Sequence, residues 1–205
     1  MTLDPNILRL VAITDDAVDH RATLVDRVDA AVRGGATSVQ VRLKNATPRE
    51  VVEITRAIIN RVSVPVIVND RADIALAAGA AGVHVGEADL PVAAVRRFAP
   101  AGFIIGASLG SDAELTNAKD ADYVGIGPVF SSNSKSNAGN AIGVAEFERL
   151  AGTVSLPAVA VGGITPDRAL QIMVHGAAGV AVVNAIFMAD DPESATRALA
   201  AAIGK

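Results

Sequence analysis

The sequence predicts an α/β fold in which eight strand-helix units close into one (β/α)8 TIM barrel, a single domain over residues 1–205. Three observations predict it. Short aliphatic runs alternate eight times with segments of helical period, the order expected when parallel strands are joined by crossover helices. The 205 residues contain no linker and no shift of composition, and an α/β barrel of this length is one domain. Finally, G-A-A-G-V-H-V at residues 79–85 returns as G-A-A-G-V-A-V at 176–182, on the helix-to-strand connections of units four and eight, as duplication of a half-barrel requires. Chance could also produce such an echo in a chain rich in Ala and Gly.

Taken in order, residues 8–13 form the first apolar run, and Leu24, Val28 and Val32 recur at helical spacing until Gly34-Gly35. Strand two covers residues 38–41. Thr47-Pro48-Arg49-Glu50 then combines an N-cap, a first-turn proline and a capping-box glutamate ahead of Val51, Ile54 and Ile58. Residues 66–68, a helix over 71–78, the strand 82–85 and a helix opened by Pro91 carrying Val92, Val95 and Phe98 repeat the pattern. A fifth strand covers 103–107, Ser111 and Glu114 suggest a second capping box, and 123–126 is the sixth strand. Residues 127–143 lack periodicity, and so long a loop inside a compact domain is usually functional or disordered. A helix over 144–151, a strand over 157–161, a helix over 166–174, a strand over 179–183 and a helix capped by Asp191-Pro192 complete eight units.

Composition narrows the function. Apolar residues are 51% of the chain but aromatics only 3%, so the core is Val, Ile, Leu and Ala, as buried parallel strands demand. With no cysteine, disulfides, thiolate metal sites and a cysteine nucleophile are excluded, and a reducing, cytoplasmic location is expected. A net charge of −4 without a Lys/Arg-rich run, and without aromatic stacking platforms, argues against a nucleic-acid partner. No apolar run approaches the roughly 18–20 residues of a membrane span, so no membrane partner is expected. The expected partners are small molecules, with room left for a homo-oligomer.

Barrel enzymes build their sites at the C-terminal ends of the strands, which turns the strand assignments into a filter. Arg42, Lys44, Asn69, Asp70, Glu87, Asp89, Ser108, Ser132 to Lys135, Gly162-Gly163 and Asn184 pass it. Asn69, Asp70 and Asp89 follow neighbouring strands and could share a hard, oxygen-ligated cation such as Mg²⁺. Arg42 and Lys44 beside those acids make sense chiefly around an anionic ligand, because unpaired charge at a strand end is costly. Ser132, Ser134 and Lys135 could fold over a diphosphate as a lid, and the turns at Gly162-Gly163 and Val183-Asn184 suit a phosphate held by backbone N–H groups. Plainer readings stand beside these. Asp70 and Asp89 directly precede helices and could be a cap and a turn residue; Arg42 and Lys44 could simply pair with them; Ser108 could be a turn hydroxyl, Lys135 a solvated lysine, and the glycines a turn needing positive φ. His84, in mid-strand, is read as a packed, hydrogen-bonded histidine with no assigned role.

Q-V-R-L-K at residues 40–44, V-N-D-R-A-D at 68–73, G-V-H-V-G-E-A-D-L-P at 82–91, G-I-G-P-V-F at 125–130, V-G-G-I at 161–164 and G-V-A-V-V-N-A-I-F at 179–187 resemble the signatures of the thiamine phosphate synthase family over nearly the whole chain. The resemblance implies a transferase that condenses hydroxymethylpyrimidine diphosphate with thiazole phosphate, releasing diphosphate and forming thiamine phosphate. Loss of diphosphate would leave a pyrimidine-methyl cation for the thiazole nitrogen to trap, with no side-chain nucleophile. It further implies Mg²⁺ near Asp70 and Asp89. Arg42, Lys44, Asn69 and Lys135 would bind the pyrimidine diphosphate, and Gln40 in the first motif counts among the substrate-binding residues. Ser108, near the departing diphosphate, and Lys135 would be catalytic; Ser132 and Ser134 match hydroxyls of the lid; Gly163, Val183 and Asn184 would hold the thiazole phosphate.

The chain departs from that pattern in places. Leu109-Gly110 stand where Thr and His are common, Ser132 and Ser134 replace Thr, Glu87 replaces Gln, and Asn184 replaces Ser. A thiazole tautomerase-like isomerase would share the barrel and phosphate cup, but that subgroup carries histidine where this chain has Pro128. A catalytically silent phosphate- or thiazole-binding module would accommodate Leu109-Gly110 and the polar lid.

Overall fold

The computed structural model describes residues 3–14, 22–131 and 141–204. Eight strands form the ring: β1 (Leu10–Ile13), β2 (Ser38–Val41), β3 (Val66–Asn69), β4 (Gly82–Val85), β5 (Ile104–Ser108), β6 (Tyr123–Ile126), β7 (Ala158–Val161) and β8 (Gly179–Val182). Each pairs in parallel with the next and β8 returns to β1, so the barrel is closed. Helices α1 (Leu24–Gly34), α2 (Pro48–Arg61), α3 (Ala72–Ala78), α4 (Val92–Arg96), α5 (Leu115–Ala118), α6 (Gly143–Ala151), α7 (Pro166–Val174), α8 (Asn184–Phe187) and α9 (Pro192–Ala202) complete the chain. No helix among the described residues is long and apolar enough to cross a membrane.

Period two divides each strand between two cores. Val39, Val41, Val66, Val68, Val83, Val85 and Ile105 join the helices in the outer core, while Val11, Ile13, Ile67, Tyr123, Val159 and Ala181 pack inside the ring. At roughly 1.5–3 kcal/mol for each large aliphatic side chain buried, such a core needs few aromatics. The capping box at α2 forms as expected: Glu50 accepts the Thr47 N–H at 2.7 Å and Thr47 Oγ1 accepts the Glu50 N–H at 3.4 Å. Asp191 likewise caps α9, accepting from the backbone of Glu193 and Ser194 at 3.0 and 3.2 Å.

The half-chain echo has a steric meaning. A Cβ at Gly82 would lie 2.2 Å from the carbonyl oxygen of Ile104, and one at Gly179 would lie 1.8 Å from that of Leu8. Both glycines open a strand against a closely approaching neighbour backbone, so the two halves of the barrel solve one packing problem the same way.

Five expectations are corrected. Strand one begins at Leu10, because Asp4 accepts the Asn6 N–H at 3.0 Å and starts a 3-10 turn over Pro5–Leu8. Leu8 is buried as part of the inner core, and an apolar pattern alone does not separate that from a strand residue. Helix α4 stops at Arg96, leaving Phe98 exposed beyond it. The second capping box is absent: the segment opens as a 3-10 turn at Asp112–Glu114, and Glu114 accepts from the Gly110 N–H at 3.1 Å and the Ser111 hydroxyl at 3.4 Å instead. Strand five includes Ser108, and the short α8 between β8 and the last helix was not anticipated.

Candidate active site

Above the aliphatic inner core, the bore turns polar on one side. The register sets Gln40 beside Ile67 across β2 and β3, Asn69 beside His84 across β3 and β4, and His84 beside Gly106 across β4 and β5. Gln40 is buried and donates from Nε2 to Asn69 Oδ1 at 2.6 Å. His84 Nδ1 lies 3.1 Å from the Tyr123 hydroxyl, and Nε2 lies 3.3 Å from Ser108 Oγ. The backbone of Arg42, just past β2, is held by Thr14, whose Oγ1 accepts the Arg42 N–H at 2.8 Å.

Asp70 takes the left-handed φ of 66° while its N–H donates to the His84 carbonyl at 2.7 Å, an arrangement Asp tolerates better than most residues. Burial raises its pKa first, the charge of Asp89 raises it further, and Lys44, 3.6 Å away, acts in the opposite direction. Asp89 Oδ2 accepts the Gly86 N–H at 2.7 Å. A Cβ on Gly86 would sit 3.2 Å from that oxygen and 3.8 Å from Ser108 Oγ, so the glycine lets the two side chains share one corner of the rim. Neither acid is a helix cap, since Arg71 and Pro91 occupy the N-cap positions of α3 and α4. The plainer readings survive only in part, as the Gly86–Asp89 turn and the Lys44–Asp70 pair.

Among the described residues no group of three or more His, Asp or Glu forms a metal cluster. At Asp70 the charge of Asp89 outweighs that of Lys44, and a pair of carboxylates so placed fits Mg²⁺, which characteristically takes one or two protein carboxylates and completes its octahedron with water and substrate phosphate. The residues present therefore suit that ion.

β7 and β8 lie four strands away from β3 and β4, across the mouth. There Gly162 and Gly163 adopt φ of 98° and 64°, and a Cβ on Gly163 would collide with the carbonyls of Phe130 and Ser131 at 2.7 Å. Phe130 donates its N–H to Gly162 O at 3.1 Å, while Ile142 and Gly143 return to the carbonyls of Pro128 and Val129 at 2.9 and 3.0 Å. The two ends of the long loop are thus tied at its base. Arg168 clamps this corner, donating to Gly163 O at 2.7 Å with its guanidinium 5.0 Å above the Phe130 ring. Val183 and the exposed Asn184 begin α8, whose C-terminal end is anchored by Arg27 Nη2 donating to Phe187 O and Ala189 O, both at 2.7 Å.

The site residues inferred from sequence therefore fall into two groups on one rim. Gln40, Arg42, Lys44, Asn69, Asp70, Asp89 and Ser108 follow β2 to β5, with contacts linking Gln40 to Asn69 and Lys44 to Asp70 to Asp89. Gly163, Val183 and Asn184 lie opposite. Ser132, Ser134 and Lys135 lie outside the described residues, and Glu87 is exposed beyond β4. Tyr123, Arg168 and Arg27 were missed. Tyr123 carried a signal, as the only tyrosine in the chain and one on the inner parity of its strand.

Burial pushes the His84 pKa down to about 4, and the nearby Asp89 charge only partly opposes this. Below the ordinary value of 6.5 the unfolded chain binds a proton that the folded one refuses, so this group's contribution is lost as pH falls from 6.5 towards 4. The shift corresponds to up to about 3 kcal/mol. His84→Asn, which keeps a polar atom near Tyr123, is expected to melt with a flatter pH dependence across that window; thermal unfolding at pH 4 to 7 checks it, and parallel curves would contradict it.

The thiamine monophosphate synthase family model matches residues 10–186. A thiamine-phosphate synthase of Methanoculleus marisnigri is 41% identical over 195 residues, covering 93% of this chain and 92% of the relative. One of Clostridium novyi is 37% identical over 197 residues, covering 94% and 97%. The solved thiamine phosphate pyrophosphorylase of Pyrococcus furiosus superposes with a TM-score of 0.86 at 36% identity, over 97% of this chain and 96% of that one. A barrel that carries the acidic and glycine-rich corners of its rim on these motifs, and matches such relatives end to end, belongs to the thiamine monophosphate synthase family.

Proposed function

We propose that this chain condenses hydroxymethylpyrimidine diphosphate with thiazole phosphate, giving thiamine phosphate and diphosphate, in a Mg²⁺-dependent reaction. The observation that carries the reading is the under-compensated Asp70–Asp89 pair beside Ser108, in a chain of this family. Two substrates with phosphates at opposite ends suit a mouth whose acidic and glycine-rich corners are four strands apart.

Gln40 and Asn69, already bonded to each other, offer paired amide groups to the pyrimidine face. Arg42, Lys44, Asn69 and Lys135 bind the diphosphate, and Ser108 donates to it as it leaves. Asp70 and Asp89 would hold Mg²⁺, which would supply neutralisation of the charge that builds on the departing group. The pyrimidine-methyl cation needs only a correctly placed thiazole nitrogen, so positioning of the second substrate carries much of the rate. Gly163 and the Val183-Asn184 turn receive the thiazole phosphate, with Arg168 holding the glycine turn against Phe130. Ser132 and Ser134, the further hydroxyls expected at the site, lie outside the described residues. A cytoplasmic location accords with a cysteine-free chain.

Purified protein given both substrates and Mg²⁺ is expected to form thiamine phosphate and diphosphate in equal amounts, and excess chelator is expected to reduce the rate at least about a hundredfold. Thiamine phosphate formed at full rate under chelator would remove the metal from the reading. If thiazole phosphate isomerises, or binds without turnover, the tautomerase or binding-module reading replaces the synthase.

A further inference from the structure

His84 and Tyr123 form a hydrogen-bonded pair that the proposed chemistry does not use. Tyr123 is buried, and among the described residues its hydroxyl has one hydrogen-bond partner, His84 Nδ1 at 3.1 Å. The rings stand 5.5 Å apart at 40°. Space for them is written into two neighbouring positions. A Cβ at Gly106 would meet Tyr123 Cζ at 2.3 Å and His84 Nδ1 at 2.5 Å, and one at Gly125 would meet His84 Cε1 at 2.9 Å. Packing alone would be served by apolar side chains filling the same volume, without the cost of seating two polar ones in the bore.

Proton bookkeeping fixes the direction of this chain of bonds. A neutral imidazole has one N–H and one acceptor nitrogen. A buried hydroxyl proton left without an acceptor costs about 1–3 kcal/mol. Tyr123 therefore gives its proton to His84 Nδ1, the imidazole proton resides on Nε2, and Nε2–H donates to Ser108 Oγ at 3.3 Å. Burial raises the Tyr123 pKa, which keeps the phenol protonated, and an imidazole is ordinarily neutral above about pH 7. With one of its lone pairs so occupied, Ser108 is left with its own proton to direct at the rim.

We propose that Tyr123 and His84 are positioning residues that lock Ser108 as a hydrogen-bond donor toward the anionic leaving group. In the opposite polarity Ser108 would spend its proton on Nε2 and present only lone pairs to a diphosphate, which is repulsive. The inference rests on the reading of Ser108 as a contact of that diphosphate, and it assigns roles to two residues that touch no substrate.

Two measurements test it together. In wild-type protein labelled with ¹⁵N-histidine, the His84 resonances are expected to show the Nε2–H tautomer with Nδ1 as acceptor, a result that needs no variant. In turnover assays, Tyr123→Phe removes one oxygen and is expected to lower kcat about tenfold, with KM for the pyrimidine diphosphate changing less than about twofold. Ser108→Ala should be slower still, and adding Tyr123→Phe to it should change kcat by less than about twofold, since the tyrosine acts only through the serine. An Nδ1–H tautomer in the wild type overturns the proposal. So does the same tenfold loss in the Ser108→Ala background, which would mark Tyr123 as a packing residue, or a Ser108→Ala variant at wild-type rate. A wild-type protein that makes no thiamine phosphate would instead sink the functional reading, while the histidine spectrum would still decide the direction of the relay.

Discussion

Replacing Asp89 by asparagine is expected to lower turnover on the order of a thousandfold, the several kcal/mol that a metal contributes to a developing phosphate charge. The choice of asparagine matters. Asp89 Oδ2 accepts the Gly86 N–H at 2.7 Å and so closes the turn after β4. Alanine would remove both the charge and that acceptor, mixing a structural loss of about 1 kcal/mol with the catalytic one. Asparagine keeps an acceptor oxygen of similar reach and deletes only the charge. Its melting temperature should stay close to wild type while activity collapses, and raising Mg²⁺ should recover part of the rate if the ion still binds through Asp70. Asp89→Ala should lose activity to the same extent and melt lower. Steady-state rates over a range of Mg²⁺ concentrations, with thermal unfolding of each protein, check both statements. An Asp89→Asn enzyme within threefold of wild type would remove Asp89 from the site.

Strand ends were legible because each is marked twice, by the last residue of an aliphatic run and by the turn or cap that follows. β2, β4 and β6 and the helices α2 and α7 were read from such pairs of signals. The misplacements have a common cause. Leu8 and Phe98 continue an apolar pattern past the end of the element, and pattern alone does not say whether such a residue lines a floor or faces solvent. Ser111-Glu114 has the residue spacing of a capping box, but a 3-10 turn changes which N–H the serine oxygen faces. At the rim, charged residues stand out against an aliphatic background, so Arg42, Lys44, Asp70 and Asp89 were visible as candidates. What holds them was visible only in part. A pairing of Lys44 with the acids and a turn at Asp89 stood among the plainer readings, but which acid Lys44 meets, that the Asp89 turn closes on Gly86, and that Arg168 bridges Gly163 and Phe130 depend on side-chain direction, which one-dimensional spacing does not encode. Tyr123 and His84 were hidden differently. His84 falls in mid-strand and Tyr123 opens β6, and on a strand a polar residue reads as packing until the glycines facing it on β5 and β6 are seen in register.

Asp70→Asn is expected to separate stability from activity more sharply than any other substitution in the chain. Folding raises the pKa of Asp70, because burial and the neighbouring Asp89 charge outweigh the attraction of Lys44. Between its unfolded and folded values the native state therefore holds more protons than the unfolded chain, and stability falls as pH rises through that interval. Above that interval the whole cost of the partly buried carboxylate is present. Asparagine abolishes that cost and the repulsion of Asp89, and it tolerates the left-handed φ of 66° nearly as well as aspartate does. The metal-free variant should melt above wild type at pH 7, with the difference shrinking as pH falls toward the ordinary carboxylate range. Turnover should nonetheless drop on the order of a thousandfold, since half of the cation's protein ligands have lost their charge. Asp70→Ala is the control: it removes the same charge, but a non-glycine residue without a polar side chain at that φ costs about 1–2 kcal/mol, so it should melt below the asparagine variant. Added Mg²⁺ should stabilise the wild type and leave both variants nearly unchanged. A melting temperature for Asp70→Asn below that of wild type at pH 7 would mean that the carboxylate is held by its partners rather than against its neighbour, and the pair would then be a structural turn instead of a cation site.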